Sequence, residues 1–201
     1  MQFTAILLGT ITTLSSLASA QYTNRSHAFN LVVESSTNKT LSGTRLTACH
    51  SGAAIETLCT YPAASDSISD EFYYNYTTQS KPTSGIITWN LPYNGNQIES
   101  EPLTFQYDPS TNVALPVFIP SEDNEVFVTF DKNNYLLVLS YLDDTKTPPG
   151  YKPQQLSRWQ VCQTYYGSYT YTTLAWTLGS GKPQNPSCQA VKVKRVAITK
   201  S

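Results

Sequence analysis

The chain has 201 residues, with 13 Lys plus Arg against 14 Asp plus Glu and a net charge of −1. Charged residues make up 13% of it, roughly half the usual share. Without clustered positive charge the composition argues against a nucleic-acid partner and against electrostatic membrane binding.

Residues 5–17 form an apolar stretch diluted by Thr and Ser, and no charged side chain precedes Arg25. Ala18, Ser19 and Ala20 supply a small-X-small cleavage pattern, so residues 1–20 are expected to be a signal peptide and 21–201 a single secreted, extracellular β domain. A membrane-spanning helix needs about 20 apolar residues, and this run is shorter and more polar, so no membrane anchor is expected.

The four cysteines are Cys49, Cys59, Cys162 and Cys188. Three pairings are open to sequence alone; local closure favours Cys49 with Cys59 and Cys162 with Cys188. The spacing does not suit a zinc site, and neither metal nor cofactor is expected. Sequons at Asn24, Asn38 and Asn75 are candidate N-glycosylation sites. Asn38 lies in a polar turn-like run, whereas Asn75 is crowded by aromatics.

Period-two alternation then runs along the chain. Phe29, Leu31 and Val33 come first. The next segment, 52–58, is the best helix candidate, with Ser51 as its N-cap. Ile87, Trp89 and Leu91 follow, then Leu103, Phe105 and Tyr107, then Val126, Val128 and Phe130. After a polar 131–134 link that reads as a hairpin turn come Tyr135, Leu137 and Leu139. Thr172, Leu174, Trp176 and Leu178 form the next stripe, and Val191 and Val193 alternate with Lys192 and Lys194. Arg195 breaks that alternation and suggests a bulge. The proline-rich stretch 143–153 reads as a surface loop. The fold class is therefore all-β: one compact antiparallel domain, a trefoil-like barrel as the first reading and a two-sheet β-sandwich as the alternative.

Chemistry is sparse. His27 sits near the mature terminus and is expected in solvent. His50 adjoins Cys49, with Glu56 as its nearest acidic partner, and is expected to be structural. Glu99 and Glu101, and likewise Glu122, Asp123 and Glu125, read as solvated turn charges. Asp143 and Asp144 are adjacent and would point apart on a strand, unlike the facing carboxyls of a glycosidase. No catalytic residue is assigned. Tyr165, Tyr166, Tyr169 and Tyr171 are the candidate ligand-binding residues, because exposed tyrosine faces stack on sugars or anchor partners. The competing expectation is that half of them fill the core while the rest pair across strands.

The segment from Cys49 through His50, Ser51, Gly52, Ala53, Ala54, Ile55, Glu56, Thr57 and Leu58 to Cys59 is distinctive. So are Arg158, Trp159, Gln160, Val161 and Cys162, followed by Thr173, Leu174, Ala175 and Trp176, then Gly181, Lys182 and Pro183, and Cys188. With the opening 29–33, these stretches resemble an uncharacterised family of secreted proteins of filamentous fungi, filed as a domain of unknown function. The ending is loosely similar to fungal cell-wall phialide-type and IgE-binding secreted proteins. The resemblance implies a fungal source, secretion and a cell-wall association, and it transfers no catalytic residue. The expected function is thus a non-catalytic secreted protein, structural or ligand-binding, with cell-wall polysaccharide as a candidate partner. The alternatives are a hydrolase built on His50 with nearby carboxylates and a lectin-like carbohydrate binder using the tyrosines.

Overall fold

The computed structural model describes residues 22–61, 70–121 and 123–198. The expected leader and Glu122 lie outside them. The regular elements named among the described residues are strands: β1 (Asn24–Arg25), β2 (Phe29–Glu34), β3 (Arg45–Gly52), β4 (Ile55–Tyr61), β5 (Phe72–Thr77), β6 (Ser84–Tyr93), β7 (Gln97–Tyr107), β8 (Val113–Phe118), β9 (Val128–Phe130), β10 (Leu136–Ser140), β11 (Gln154–Leu156), β12 (Trp159–Tyr166), β13 (Tyr169–Thr177), β14 (Gln189–Ala190) and β15 (Lys192–Ala197).

Neighbouring strands pair antiparallel. The order β2-β3-β4-β13-β8-β7-β6-β5 closes back on β2 through the Phe29–Phe72 pair, giving an eight-stranded barrel. Closure leaves no free edge in the ring, which is how an all-β chain avoids edge-to-edge association. The remaining strands flank the ring: β9, β10 and β11 extend from β6, β12 lies on β13, and β15 lies on β2. Of the two architectures open to the sequence, the barrel is the one found.

Most of the period-two stripes point inward, but the one expected at Tyr135, Leu137 and Leu139 is out of phase: Leu136 and Val138, cross-strand partners of Phe130 and Val128, enter the core, while Tyr135 and Leu137 are half-buried. Leu31, Val33, Leu46, Leu58, Phe72, Ile87, Leu103, Phe118 and Leu174 are all buried in one core. Trp159 and Trp176 are cross-strand partners and meet edge to face, ring centres 4.7 Å apart. The Trp159 indole donates to the Leu136 carbonyl at 2.9 Å, so its one polar atom is satisfied. Strand β8 is buried on both faces, because Val113, Leu115 and Val117 pack outward against Ala175 and Cys162 in a second apolar cluster.

Three further expectations are corrected. Residues 52–58 are not helical: they are the turn and second strand of the β3–β4 hairpin, with Ala54 at φ 51°. Strand β4 has partners on both sides, β3 on one and β8 with β13 on the other, and these long-range ladders override local helix propensity. Arg195 lies in continuous register with Leu31, without a bulge. Its guanidinium sits 4.3 Å from the Phe130 ring centre and bonds the Asn134 side chain, which explains a long cation in an otherwise alternating strand. The sheet irregularity lies instead between His50 and Gly52. Third, neither Glu99 nor Glu101 is a turn residue: both are ladder members of β7, Glu99 exposed and Glu101 fully buried.

Candidate ligand-binding groove

Tyr107 ends β7, and Tyr165 and Tyr166 end β12; an open groove of about 620 Å³ lies between them. That size is within the range of small-molecule and sugar sites. Its floor includes Val113 and Leu115, and its walls carry Gln106, Gln163, Gln184 and Asn185. Tyr165 is 72% exposed and Tyr107 64% exposed, so two large ring faces stand in solvent at the groove.

The walls are tied together by side chain-to-backbone bonds. Asn112 donates from its backbone to the Gln184 side chain at 2.9 Å, and Gln184 returns a backbone bond to Asn112 at 2.8 Å. Asn112 Nδ2 also donates to the Lys182 carbonyl. Asn185 donates to the Gln163 carbonyl, and the Gln163 amide donates to Ser187 Oγ. The Cys162–Cys188 disulfide fixes the same loop to β12. The loop wall is therefore held before any ligand arrives, which lowers the ordering cost of binding.

Among the residues lining the groove only Asp108 is ionised at neutral pH. The Ser110 hydroxyl and backbone amide hold its carboxyl below the usual range. The lining is otherwise amide, hydroxyl, phenol and apolar surface.

Of the candidate tyrosines, Tyr165 and Tyr166 line the groove, while Tyr169 and Tyr171 form a stacked pair beside it, ring centres 5.7 Å apart. Tyr166 and Tyr169 are cross-strand partners, so the two patches adjoin. The exposed His50 meets Tyr169 edge to face at 5.6 Å, and the Tyr171 hydroxyl donates to the His50 carbonyl. Only Tyr166 packs against an apolar cluster. Tyr107, Gln184 and Asn185 were not singled out from sequence. Tyr107 closes an alternating stripe and so read as core, yet its place one residue before the Asp108-Pro109 turn is the signal that it lies at a strand mouth.

A second group lies inside the barrel. Glu56 precedes Leu58 by two residues and Glu101 precedes Leu103 by two, so both point toward the core. Phe118 pairs with Glu56 on one side and Leu103 on the other, bringing the two carboxyls together at the end of β8. Glu56 is 5% exposed and Glu101 0%. Glu56 Oε2 and both Glu101 oxygens lack a donor among the described residues, while the two carboxyls are within hydrogen-bonding reach of each other. One proton between them supplies the missing donor. Burial, then the Glu56 hydrogen bond and charge, push Glu101 up to about 9. Burial also raises Glu56, opposed by the Glu101 bond and by His50. The structure thus brings His50, a cross-strand partner of Glu56, to the carboxyls, but Glu101 presents no surface to a substrate.

His27 is exposed, and Asp143 pairs with Lys146 in the irregular 143–150 loop. Asn24 is exposed on β1, Asn38 is half-buried in a turn, and Asn75 is half-buried within β5 between β1 and β6. Both disulfides join the expected partners, Cys49 with Cys59 and Cys162 with Cys188. No helix among the described residues is long and apolar enough to cross a membrane.

These features define an all-β barrel protein with an open aromatic groove whose lining carries one charge, that of Asp108. The chain belongs to the family described as Domain of unknown function (DUF7907), which matches residues 26–197. No curated protein and no solved structure matches it.

Proposed function

We propose that this is an exported, non-catalytic protein that binds a neutral polysaccharide of the cell wall through the groove between Tyr107 and Tyr165. The observation that carries the reading is the pairing of two solvent-facing tyrosine rings with a rigid rim of amides. Sugar rings offer C–H faces that lie on aromatic rings and hydroxyls that bond to Gln and Asn, so this lining matches that ligand chemistry. The absence of a lining Lys or Arg, together with the Asp108 charge, disfavours anionic polymers. Two disulfides suit an oxidising compartment and support export.

The test is sedimentation with insoluble chitin, β-glucan and cellulose, with a glycan array beside it. Tyr165→Ala and Tyr107→Ala should each weaken binding by about 1 kcal/mol, roughly fivefold. Tyr93→Ala, on the distant β6–β7 hairpin, should change nothing. Wild-type binding that survives the double Tyr107→Ala/Tyr165→Ala substitution would place the ligand elsewhere.

A further inference from the structure

A second groove, of about 650 Å³, opens beside the first, with Gln163 lining both. Its lining is wholly uncharged, and Thr40, Thr44, Thr60, Thr172 and Gln189 give it a surface of hydroxyls and amide. Asn38 is itself part of that lining and heads the sequon Asn38-Lys39-Thr40. Its carboxamide is fixed: Oδ1 accepts the backbone amides of Thr40 at 3.0 Å and Leu41 at 3.2 Å, and Nδ2 donates to Gln189 Oε1 at 2.8 Å. A side-chain amide nitrogen carries two hydrogens. The Gln189 bond uses one, leaving the other for substitution.

We infer that Asn38 carries an N-linked glycan whose first sugars lie in this groove, against β13 and the Gln189 strand. In the modification a glycosyl donor with a diphosphate leaving group is attacked at its anomeric carbon by Nδ2. The N–C bond forms, the anomeric C–O bond breaks with its electron pair leaving on the diphosphate, and one Nδ2 proton is lost to a base. One N–H remains, so the Gln189 bond and both backbone bonds to Oδ1 survive. The other sequons lack such a seat. Asn24 is exposed, and among the described residues its side-chain amide bonds the neighbouring Thr23 hydroxyl. Asn75 sits in a strand paired on both sides, with its side-chain Oδ1 buried.

The inference rests on the export reading above, and the experiment separates the two. The full chain is expressed in a eukaryotic secretory host, and glycan occupancy is mapped on peptides from the medium. Amidase release of each glycan is then timed on folded and on reduced, unfolded protein. Asn38 should be occupied, with release at least roughly tenfold slower from the folded state, and Gln189→Ala should narrow that gap. Exported protein with Asn38 unmodified overturns the inference while export stands. So does equal release from folded and unfolded protein, which would mean a glycan free in solvent. Failure to reach the medium removes both readings.

Discussion

Gly85 shows how one residue can set the spacing of the barrel wall. It pairs with Tyr76 on one side and Val128 on the other. A Cβ built there would overlap the Asn75 carbonyl oxygen, the Tyr74 ring and the Tyr76 Cβ, and one of these is backbone. The crowding has a purpose in packing: Tyr74 lies stacked on Tyr76 and edge-on to Phe130, and its hydroxyl donates to the Val128 carbonyl at 3.1 Å. Gly85→Ala cannot be absorbed by a rotamer change alone. It should lower stability by about 2 kcal/mol, within the usual range for overpacking. Urea denaturation measures it, and a change below about 0.5 kcal/mol would show that β5 and β6 can separate freely at this point.

At the scale of elements, the two disulfides do different jobs. Cys49 and Cys59 are 10 residues apart within the β3–β4 hairpin, which seven backbone pairs already hold in register. Cys162 and Cys188 are 26 apart and fasten the loop that walls the tyrosine groove. Loop-closure entropy alone makes the second bridge more stabilising by about 1 kcal/mol. Replacing Cys162 and Cys188 with Ala should therefore lower stability more than replacing Cys49 and Cys59. Only the former should weaken polysaccharide binding. Equal loss of binding from both would mean that the groove depends on the whole barrel rather than on its loop. The same hairpin shows what sequence could and could not convey. The stripes at Phe29, Ile87, Leu103 and Leu174 are true core faces, because a half-buried strand writes its period into the chain. The Asn94-Gly95 hairpin turn is equally legible, both residues having positive φ. Segment 52–58 misled because Ala, Glu and Leu favour helices locally, and nothing nearby in sequence reveals the partner strands β8 and β13. The groove was half legible: Tyr165 and Tyr166 stood out as a cluster, but Tyr107 and Gln184 reach it from distant segments. Glu101 was hidden by its polar neighbours Gln97, Glu99 and Ser100, although counting back by two from Leu103 lands on it.

The whole barrel carries an acid-favouring bias through the Glu56–Glu101 pair. Both groups lie inside the closed ring, flanked by Leu58, Leu103 and Phe118, and the charged groups that act on them are His50 and Glu99. Folding removes Glu101 from water, and two ionised carboxyls side by side would repel without a donor between them. The folded pKa of Glu101, about 9, exceeds the ordinary value of 4.5, so between these limits the native state holds more protons than the unfolded chain. Under that condition stability falls as pH rises. The contribution is full below about pH 4.5 and is lost as pH climbs through about 9. The protein should therefore melt at a higher temperature at pH 5 than at pH 8. Glu101→Gln keeps the shape of the side chain, supplies a permanent donor to Glu56 and cannot ionise. It should flatten the decline over this window and leave the variant more stable than wild type at pH 9, by at least about 1 kcal/mol. Asp144→Asn, at an exposed position in the 143–150 loop, serves as the control and should move the curve little. Thermal melts at pH 5, 7 and 9 on all three proteins decide it. A wild-type curve that is level or rises with pH across that range would mean the pair holds no proton. An equal slope in Glu101→Gln would assign the pH dependence to other groups.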